Sequence, residues 1–279
     1  MGTLMRIYHT WRGLPDEARG ATVALGNFDG VHRGHAGLLR AAHAARPDTP
    51  LAGLTFEPHP REIFRPEDPP FRLTLSAERA DALAALGVAI LYELPFNHEF
   101  SLMTAEDFVV KVLHEGVGAR HLAAGEDFAF GHRRGGDAAF LAARAEALGM
   151  GLTLVPPVAD AHGPLSSTRI RRALQDGYPE RATAELGRPW AIRGTVSHGA
   201  RLGRTIGFPT ANVALGQHLE PARGVYAVTV RIADGTFYNG VANIGRRPTV
   251  NAGTESRLEV HLFGFSGDIY DAEITVALH

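Results

Sequence analysis

Two histidines lie three positions apart in the glycine-rich segment 26–35, which reads Gly-Asn-Phe-Asp-Gly-Val-His-Arg-Gly-His. The segment follows an apolar run that predicts a buried strand and precedes an Ala/Leu-rich stretch that predicts a helix. A strand, a glycine turn and a helix start bring backbone N–H groups together at the positive end of a helix, which suits a phosphate. His32 and His35 can therefore approach a polyphosphate without steric obstruction. The alternative is a glycine turn that carries two surface histidines.

A second group of phosphate-binding residue types occupies positions 165–172, Leu-Ser-Ser-Thr-Arg-Ile-Arg-Arg. Hydroxyls at a helix start can cap the helix and, with the arginines that follow, bind phosphate oxygens. Ser167, Thr168 and Arg171 are the candidates, and with the histidine segment they would form a two-sided clamp for a nucleotide. The alternative is an ordinary N-cap followed by solvated arginines.

A third candidate site lies in residues 199–212, Gly-Ala-Arg-Leu-Gly-Arg-Thr-Ile-Gly-Phe-Pro-Thr-Ala-Asn. Glycines this dense allow the backbone to wrap closely around a phosphate group. Thr210 and Asn212 supply two oxygen ligands one residue apart, which suit a hard ion such as Mg²⁺. The alternative is a glycine-rich hairpin with an ordinary Pro-Thr turn.

A carboxylate that could act as a general base stands in the segment 258–263, Leu-Glu-Val-His-Leu-Phe. The alternation predicts a strand in which the aliphatic residues face one way, so Glu259 and His261 share the other face. Glu259 there could accept the proton of a hydroxyl that attacks a phosphate. The alternative is a solvent-facing glutamate on an edge strand.

The elements that must position these residues change character along the chain. In the first two-thirds, apolar runs alternate with helical stretches, which indicates an α/β domain with a parallel sheet whose ligands lie beyond the carboxyl ends of the strands. In the helix 76–86, a serine caps the start, and Arg79 and Asp81 are expected on the wetter side. The predicted strands are 21–25, 51–56, 88–92, 121–124 and 152–155, and the other predicted helices are 35–45, 105–113 and 138–148.

Beyond residue 186 the pattern is that of strands joined by turns, as in an antiparallel barrel or sandwich. We therefore predict two domains, residues 1–185 and residues 186–279. The predicted strands of the second domain are 190–197, 224–232, 236–244, 256–263 and 274–278.

Composition narrows the class of protein. The chain has 279 residues, 45% of them apolar, and a net charge of −2, so no overall positive field favours nucleic acid. Cysteine is absent, which excludes disulfides, thiolate zinc sites and a cysteine nucleophile. The first residues lack the apolar segment of a signal peptide, and no stretch approaches the roughly 20 apolar residues of a membrane helix. We expect a cytoplasmic protein of unknown oligomeric state that binds neither nucleic acid nor membrane.

The motifs in combination resemble a known family. Gly-x-Phe-Asp-x-x-His-x-Gly-His with Ser-Ser-Thr-x-Ile-Arg resembles the nucleotidyltransferase superfamily related to class I aminoacyl-tRNA synthetases. Residues 55–60 (Thr-Phe-Glu-Pro-His-Pro) and 125–131 (Gly-Glu-Asp-Phe-Ala-Phe-Gly) narrow this to the bacterial bifunctional riboflavin kinase/FMN adenylyltransferase family, or FAD synthetases. Residues 203–212 resemble the riboflavin kinase signature, and 224–228 and 243–249 match it further. The resemblance implies a Rossmann-like domain followed by a small riboflavin kinase-like β-barrel.

That resemblance implies two reactions: ATP phosphorylates riboflavin to FMN, and a second ATP adenylylates FMN to FAD with release of pyrophosphate. The substrates are riboflavin, FMN and ATP, and Mg²⁺ is the expected cofactor. His32 and His35 would stabilise the leaving pyrophosphate, Arg171 would grip the β- and γ-phosphates, and Glu259 would be the base for the riboflavin 5′-hydroxyl. The implied ATP-binding residues are Gly26, Phe28, Gly34, Ser167, Thr168, Gly203 and Arg204; the flavin-binding residues are Pro58, Pro60, Asp127 and Phe128; the metal site is Thr210 with Asn212. For Phe128 the alternative is a core aromatic.

The sequence departs from the family pattern at three places. Ala129 stands where arginine is frequent, and Asp271 stands where glycine is usual. The sequence stops at His279, whereas relatives continue for another strand and a closing helix, so we expect that the barrel could be incomplete.

Three other functions compete with the two-activity enzyme. In the first, only the adenylyltransferase works, and the second domain is a truncated flavin-binding or structural module. In the second, the chain is a non-catalytic binder of flavin or RNA. In the third, the first domain adenylylates another substrate, such as a pantetheine phosphate or a nicotinate nucleotide, which the attached kinase signature disfavours.

Overall fold

The computed structural model describes residues 4–197, 210–248 and 254–279. Its contacts divide the chain into two compact units. Unit 1 comprises Met1–Asp68 and Ser76–Leu165, and unit 2 comprises Pro69–Leu75 and Ser166–His279. The predicted domain boundary between residues 185 and 186 stays a prediction.

Unit 1 is built on a six-stranded sheet with the order β1-β4-β3-β2-β5-β6, in which every pairing is parallel. This confirms the parallel sheet that the alternating pattern predicts. The strands are β1 (Arg6–Tyr8), β2 (Thr22–Leu25), β3 (Leu51–Glu57), β4 (Ile90–Pro95), β5 (His121–Gly125) and β6 (Gly151–Val155), and β7 (Ala159–Asp160) with β8 (Gly163–Pro164) form a small hairpin.

The central strands are apolar because helices cover both faces of the sheet. All four residues of β2 are buried, and its neighbours on either side are β3 and β5. Unit 1 has two apolar clusters. One includes Val23 and Leu54, and the other includes Ala24 and Leu91. The covering helices are α1 (Arg33–Ala45), α2 (Pro60–Phe64), α3 (Ser76–Ala85), α4 (His98–Ser101), α5 (Ala105–Asp107) and α6 (Ala138–Ala147).

The predicted helix 105–113 begins as α5 and continues as a π-helix, Phe108–Gly116. The hydroxyl of Thr104 caps α5 by accepting a hydrogen bond from the backbone N–H of Asp107 at 3.0 Å. The Val117 N–H donates to the carbonyl of Val112, five residues earlier, which is the π-helical spacing. A helix was therefore predicted correctly here, but its winding was not.

The prediction that Arg79 lies on the wetter side of α3 was wrong. Asp81 is exposed as expected, but the Arg79 side chain is 0% exposed. It is buried because it forms ion pairs with two glutamates. Glu57 is the last residue of β3, and Glu93 lies near the end of β4. The hydroxyl of Ser76, the first helical residue, donates to the Glu93 carboxylate at 2.7 Å.

Unit 2 contains a closed antiparallel barrel with the order β10-β13-β12-β11-β14-β9, and β9 pairs with β10 to complete the ring. The barrel prediction is confirmed, whereas the expected incompleteness was wrong, because the last strand pairs on both sides, with β11 and β9. The strands are β9 (Ala191–Ser197), β10 (Ala211–Ala214), β11 (Gly224–Arg231), β12 (Phe237–Pro248), β13 (Thr254–Leu262) and β14 (Glu273–Leu278).

Asp271 precedes the last strand with φ at +60°, in the left-handed region that favours glycine. Aspartate tolerates this region better than most residues do. The backbone conformation thus explains both the glycine of the family pattern and the aspartate that replaces it.

Two helices and a strap also belong to unit 2. Helix α7 (Ser167–Gln175) and helix α8 (Pro179–Leu186) contribute Ile170 and Leu186 to the apolar cluster of the barrel. The strap Pro69–Leu75 joins the same cluster through Leu73, whose carbonyl accepts a hydrogen bond from the Trp190 indole at 2.8 Å. The sequence analysis predicted only the start of α7 and missed α8.

Candidate active sites

The carboxyl edge of the unit 1 sheet gathers three of the predicted segments. Because β3, β2 and β5 are adjacent and parallel, the residues that follow them meet at one edge. The histidine segment follows β2, Pro58 and Pro60 follow β3, and Asp127 and Phe128 follow β5. The topology therefore brings the predicted triphosphate and flavin residues of unit 1 to the same edge.

His32 and His35 form a reciprocal capping box at the start of α1. The Nδ1 atom of His32 accepts hydrogen bonds from the backbone N–H of Gly34 at 3.1 Å and of His35 at 3.4 Å. The Nδ1 atom of His35 in turn accepts from the His32 N–H at 3.3 Å. The two rings stack with their centroids 3.7 Å apart. His32 is 6% exposed, so it is not the surface histidine of the plain alternative.

These caps define the chemistry of the two imidazoles. A ring nitrogen that accepts a hydrogen bond carries no proton, so each neutral ring holds its proton on Nε2. Both histidines are therefore Nε2–H donors at the positive end of a helix. Such donors suit the oxygens of a phosphate chain.

Gly34 provides the space that the His32 ring occupies. A Cβ atom at Gly34 would lie 2.9 Å from Cε1 and 3.0 Å from Nδ1 of that ring. Phe28 lies below the segment, fully buried, with its ring 5.2 Å from that of His35. A Cβ at Gly26 would meet the same phenyl ring at 3.3 Å. The Phe28 side chain thus supports the turn, and only its backbone remains for the ATP contact that the resemblance implies.

For the FAD formation that the family resemblance implies, replacing Gly34 with alanine should lower kcat/KM by about tenfold or more, since displacing a group in the catalytic role predicted for His32 costs up to about a hundredfold per ångström. The added methyl must push the His32 ring out of its cap. Steady-state rates of FAD formation measure the effect. Gly37→Ala on the same helix is the control, because its methyl would meet only the Val158 side chain. Equal losses in both variants would contradict the steric explanation.

The predicted flavin segment after β3 is held by its own hydrogen bonds. His59 caps α2, since its Nδ1 accepts from the Arg61 N–H at 3.1 Å, and Pro60 is the first helical residue. The Arg61 guanidinium also donates to Asp68 at 2.7 and 2.9 Å. The segment that carries Pro58 and Pro60 is thereby closed into a small, defined loop.

The segment after β5 has a mixed environment. Phe128 is half-buried, stacks on Phe130 with centroids 5.3 Å apart, and packs against the core, so the alternative of a core aromatic holds in part. Asp127 is exposed. A Cβ at Gly125 would lie 2.7 Å from Oδ1 of Asp127, so the glycine leaves room for this carboxylate.

In unit 2, the hydroxyl-rich segment opens α7 as predicted, with Ser166 as the capping residue. Its Oγ accepts from the Arg169 N–H at 3.3 Å, and Ser167 and Thr168 occupy the first turn. The arginines are not simply solvated. Arg171 donates from Nε to the Phe71 carbonyl at 2.9 Å and lies over the Phe71 ring, 5.3 Å from its centroid. The two-sided nucleotide clamp stays a prediction.

The barrel aligns polar residues of three adjacent strands. Asn212 of β10 lies directly opposite Glu259 of β13, which lies directly opposite Asn243 of β12. Residues opposite each other point to the same face, here the outer face, because Leu258 and Val260 face the interior. Asn212 is nevertheless only 5% exposed. The alternative of an edge strand was wrong, since β13 pairs on both sides.

The other residues predicted for the kinase site are Thr210, Gly203 and Arg204. Thr210 immediately precedes β10, and its carbonyl accepts a hydrogen bond from the Asn212 amide at 3.5 Å. Gly203 and Arg204, both predicted to bind ATP, lie outside the described residues.

Sequence reasoning missed two groups at these sites. Asn243 belongs to the segment 243–249 that matches the kinase signature, and its outward position in a strand predicts a polar neighbour for Glu259. Arg79, with its partners Glu57 and Glu93, was assigned to the solvent. The available signal was its position four residues before the buried Leu83, on the same face of α3.

Other titratable groups are structural. His121, at the amino end of β5, shares a hydrogen bond of 2.8 Å with Thr153, and burial, aided by Arg46, lowers its pKa. Burial raises the pKa of Tyr92, whose hydroxyl donates to the carbonyl of Ala18. Among the described residues, no cluster of three or more His, Asp or Glu side chains could hold a metal ion. In the same part of the chain, no helix is long and apolar enough to cross a membrane.

Comparison with known proteins decides the family. Residues 14–169 match the FAD synthetase family model, and residues 186–279 match the riboflavin kinase family model. A bifunctional riboflavin kinase/FMN adenylyltransferase of Pseudomonas fluorescens is 42% identical over 277 residues, covering 99% of this chain and 88% of that protein. The chain belongs to the bifunctional riboflavin kinase/FMN adenylyltransferase family. It thus carries an FAD synthetase domain and a riboflavin kinase domain, which confirms the predicted family.

One further relative and one solved structure are similar to the chain over nearly its whole length. The bifunctional riboflavin kinase/FMN adenylyltransferase from Escherichia coli K12 is 40% identical, with the same coverage of 99% and 88%. A solved structure from Streptococcus pneumoniae, described as a macrolide-efflux protein, matches with a TM-score of 0.87 and 36% identity. The match covers 98% of this chain and 89% of that one.

Proposed function

We propose that this chain catalyses both reactions of its family, forming FMN from riboflavin and ATP and then FAD from FMN and ATP. The observation that carries the proposal is the closed barrel, in which Asn212 and Glu259 are direct cross-strand neighbours. A barrel reduced to a structural module has no need of this polar pair. The adenylyltransferase-only alternative is therefore not favoured.

In the adenylylation, an oxygen of the FMN phosphate attacks the α-phosphorus of ATP in line. The new oxygen–phosphorus bond forms as the bond to pyrophosphate breaks, and negative charge grows on the leaving group. His32 and His35 donate from Nε2 to those oxygens, supported by the N-terminus of α1. A preorganised donor of this kind contributes about 10²–10³ to the rate.

By the family resemblance, the hydroxyl-rich start of α7 would hold the outer phosphates of ATP. Ser167 and Thr168 lie in the first turn of that helix, and Arg171 brings a cation fixed by its bond to Phe71. Pro58, Pro60, Asp127 and Phe128 would hold the flavin at the edge of the sheet.

In the kinase reaction, the riboflavin 5′-hydroxyl attacks the γ-phosphorus of ATP, and ADP leaves. The Glu259 carboxylate accepts the hydroxyl proton, which requires it to be ionised and within hydrogen-bond reach. Its place between β10 and β12 holds the carboxylate on a rigid strand. Asn243, directly opposite, would help to orient it or the substrate.

Mg²⁺ is the cofactor that the donor set of the barrel fits. Thr210, Asn212 and Glu259 offer oxygen atoms, the ligand type that this ion prefers, and two of them are direct cross-strand neighbours. Thr210 and Asn212 would hold the ion with ATP phosphates completing its shell. A bound Mg²⁺ neutralises the developing phosphate charge.

A chromatographic assay with riboflavin, ATP and Mg²⁺, run beside one that starts from FMN, tests the function. FAD from both reactions is the expected result, and excess chelator should abolish both. FAD from FMN alone would mean that the barrel is inactive. FAD from neither would contradict the proposed function. The expected cytoplasmic location stays a prediction.

A further inference from the structure

The buried side chain of Arg79 joins Glu57, the last residue of β3, to Glu93, near the end of β4. The Nη2 atom of Arg79 donates to Glu57 at 2.7 Å and to Glu93 at 2.6 Å. Glu93 is 4% exposed and also receives the Ser76 hydroxyl, so it is a fixed anchor. Glu57 is 33% exposed and ends β3 at the carboxyl edge of the sheet.

The stability of the fold gives little reason for this arginine. Within the described residues, the Nε and Nη1 atoms of Arg79 are buried without a hydrogen-bond partner. A buried donor without a hydrogen-bond partner destabilises the folded state. A buried ion pair is often no more stabilising than a hydrophobic side chain of similar volume. The arrangement therefore points to a role in the site.

Glu57 connects the arginine to the flavin segment. Its carbonyl accepts a hydrogen bond from the Phe96 N–H at 3.2 Å, and its side chain is held by Arg79, so both of its ends are tied down. The next residue is Pro58, and the capped turn of His59 and Pro60 follows. The direction in which this segment leaves the sheet thus depends on Glu57.

Removal of the arginine would leave the carboxylates of Glu57 and Glu93 to repel each other. Both bond to one guanidinium nitrogen, so without it two negative charges share a small, partly buried space. Glu93 is buried and held by Ser76, so the more exposed Glu57 is the one that moves. Its movement would displace the segment that begins at Pro58.

We propose that Arg79 is a positioning residue for FMN adenylylation, which holds the Glu57 carboxylate and thereby the Pro58–Pro60 segment in the conformation that binds the flavin. Arg79 acts through Glu57 and does not itself touch substrate. The proposal rests on the proposed function, since it assumes that FMN binds at this edge of the sheet.

The test is the steady-state kinetics of the Arg79→Met variant. Methionine replaces the apolar stem of the arginine with an unbranched side chain and removes the charge. We expect KM for FMN to rise about tenfold, with kcat and KM for ATP changed by no more than about twofold. An unchanged KM for ATP shows that unit 1 is folded. Riboflavin phosphorylation by the same preparation should equal that of the wild type, which shows that the barrel is folded. Arg79→Lys should restore part of the affinity for FMN, whereas a purely structural role predicts no such selectivity.

The matched control is Arg144→Met, which breaks an ion pair with Glu106 elsewhere in unit 1 and should change neither KM. Glu57→Ala is the second variant, because it removes the acceptor for Arg79 and because the partly exposed side chain tolerates the change. It should raise KM for FMN as Arg79→Met does, and the double variant should be no worse than either, since both remove one interaction.

The outcomes separate the two hypotheses. KM values for FMN within twofold of the wild type in Glu57→Ala would overturn the positioning role, even if Arg79→Met failed to fold. Parallel rises of both KM values in Arg79→Met, or additive effects in the double variant, would overturn it as well. Absence of FAD formation by the wild type would instead refute the proposed function.

Discussion

Replacing His35 with alanine should reduce FAD formation from FMN by about 10²–10³-fold, the effect of one lost donor to a developing negative charge. The variant loses the Nε2–H of His35 and the acceptor for the His32 N–H, so both imidazoles of the capping box are affected. FMN formation from riboflavin should remain within about twofold, because Asn212 and Glu259, the residues proposed for the kinase reaction, lie in the barrel. Chromatographic separation of FMN and FAD in reactions started from each substrate measures both activities.

The control for this variant is His43→Ala. His43 is an exposed histidine in the last turn of the same helix, where the backbone carbonyls rather than the N–H groups point outward. It should leave both activities unchanged. An undiminished FAD rate in His35→Ala, or an equal loss of both activities with the fold intact, would contradict the assignment.

Replacing Glu259 with glutamine should reduce riboflavin phosphorylation by about 10²–10⁴-fold, the usual contribution of a general base. The amide keeps the size of the side chain but does not take up the proton. The fold should persist, because β13 is hydrogen-bonded to a strand on each side and Glu259 points outward from the barrel. Production of ADP from riboflavin and ATP measures the kinase, and FAD formation from FMN should continue at the wild-type rate.

Glu273→Gln is the matched control for the barrel. Glu273 begins the last strand, is 65% exposed, and lies 3.9 Å from Arg193, so its charge has little influence on the fold. This variant should phosphorylate riboflavin normally. A wild-type kinase rate in Glu259→Gln would exclude the glutamate as the base, and Asn243 and Asn212 would then be the polar residues to replace next.

The histidine segment shows how much of the first site was accessible from sequence. A short apolar run, a glycine turn and a helix start are local patterns, and they placed His32 and His35 at a strand end and a helix start. The reciprocal caps were not accessible, because a histidine ring can face solvent or its own backbone with the same sequence spacing. The space that Gly34 leaves for the ring decides between these conformations.

Arg79 shows the opposite outcome. Helical periodicity placed it beside buried positions, but its charge led to the prediction of a solvated side chain. Its burial depends on Glu57 and Glu93, which lie 22 and 14 residues away in the chain. Only the parallel pairing of β3 with β4 brings these carboxylates together, and that pairing is not encoded in any short segment.

The sequence alone determined the class of each domain and most of the residues that could do chemistry. Hydrophobic periodicity is local, and phosphate-binding turns need residue types that occur together in the chain. The tertiary structure decided which of these residues are neighbours. Strand order and register place Asn212 opposite Glu259 and close the barrel with β14, and they set Arg79 between two strand ends. These pairings join distant segments, and they follow from how the apolar faces of all the strands and helices are buried together.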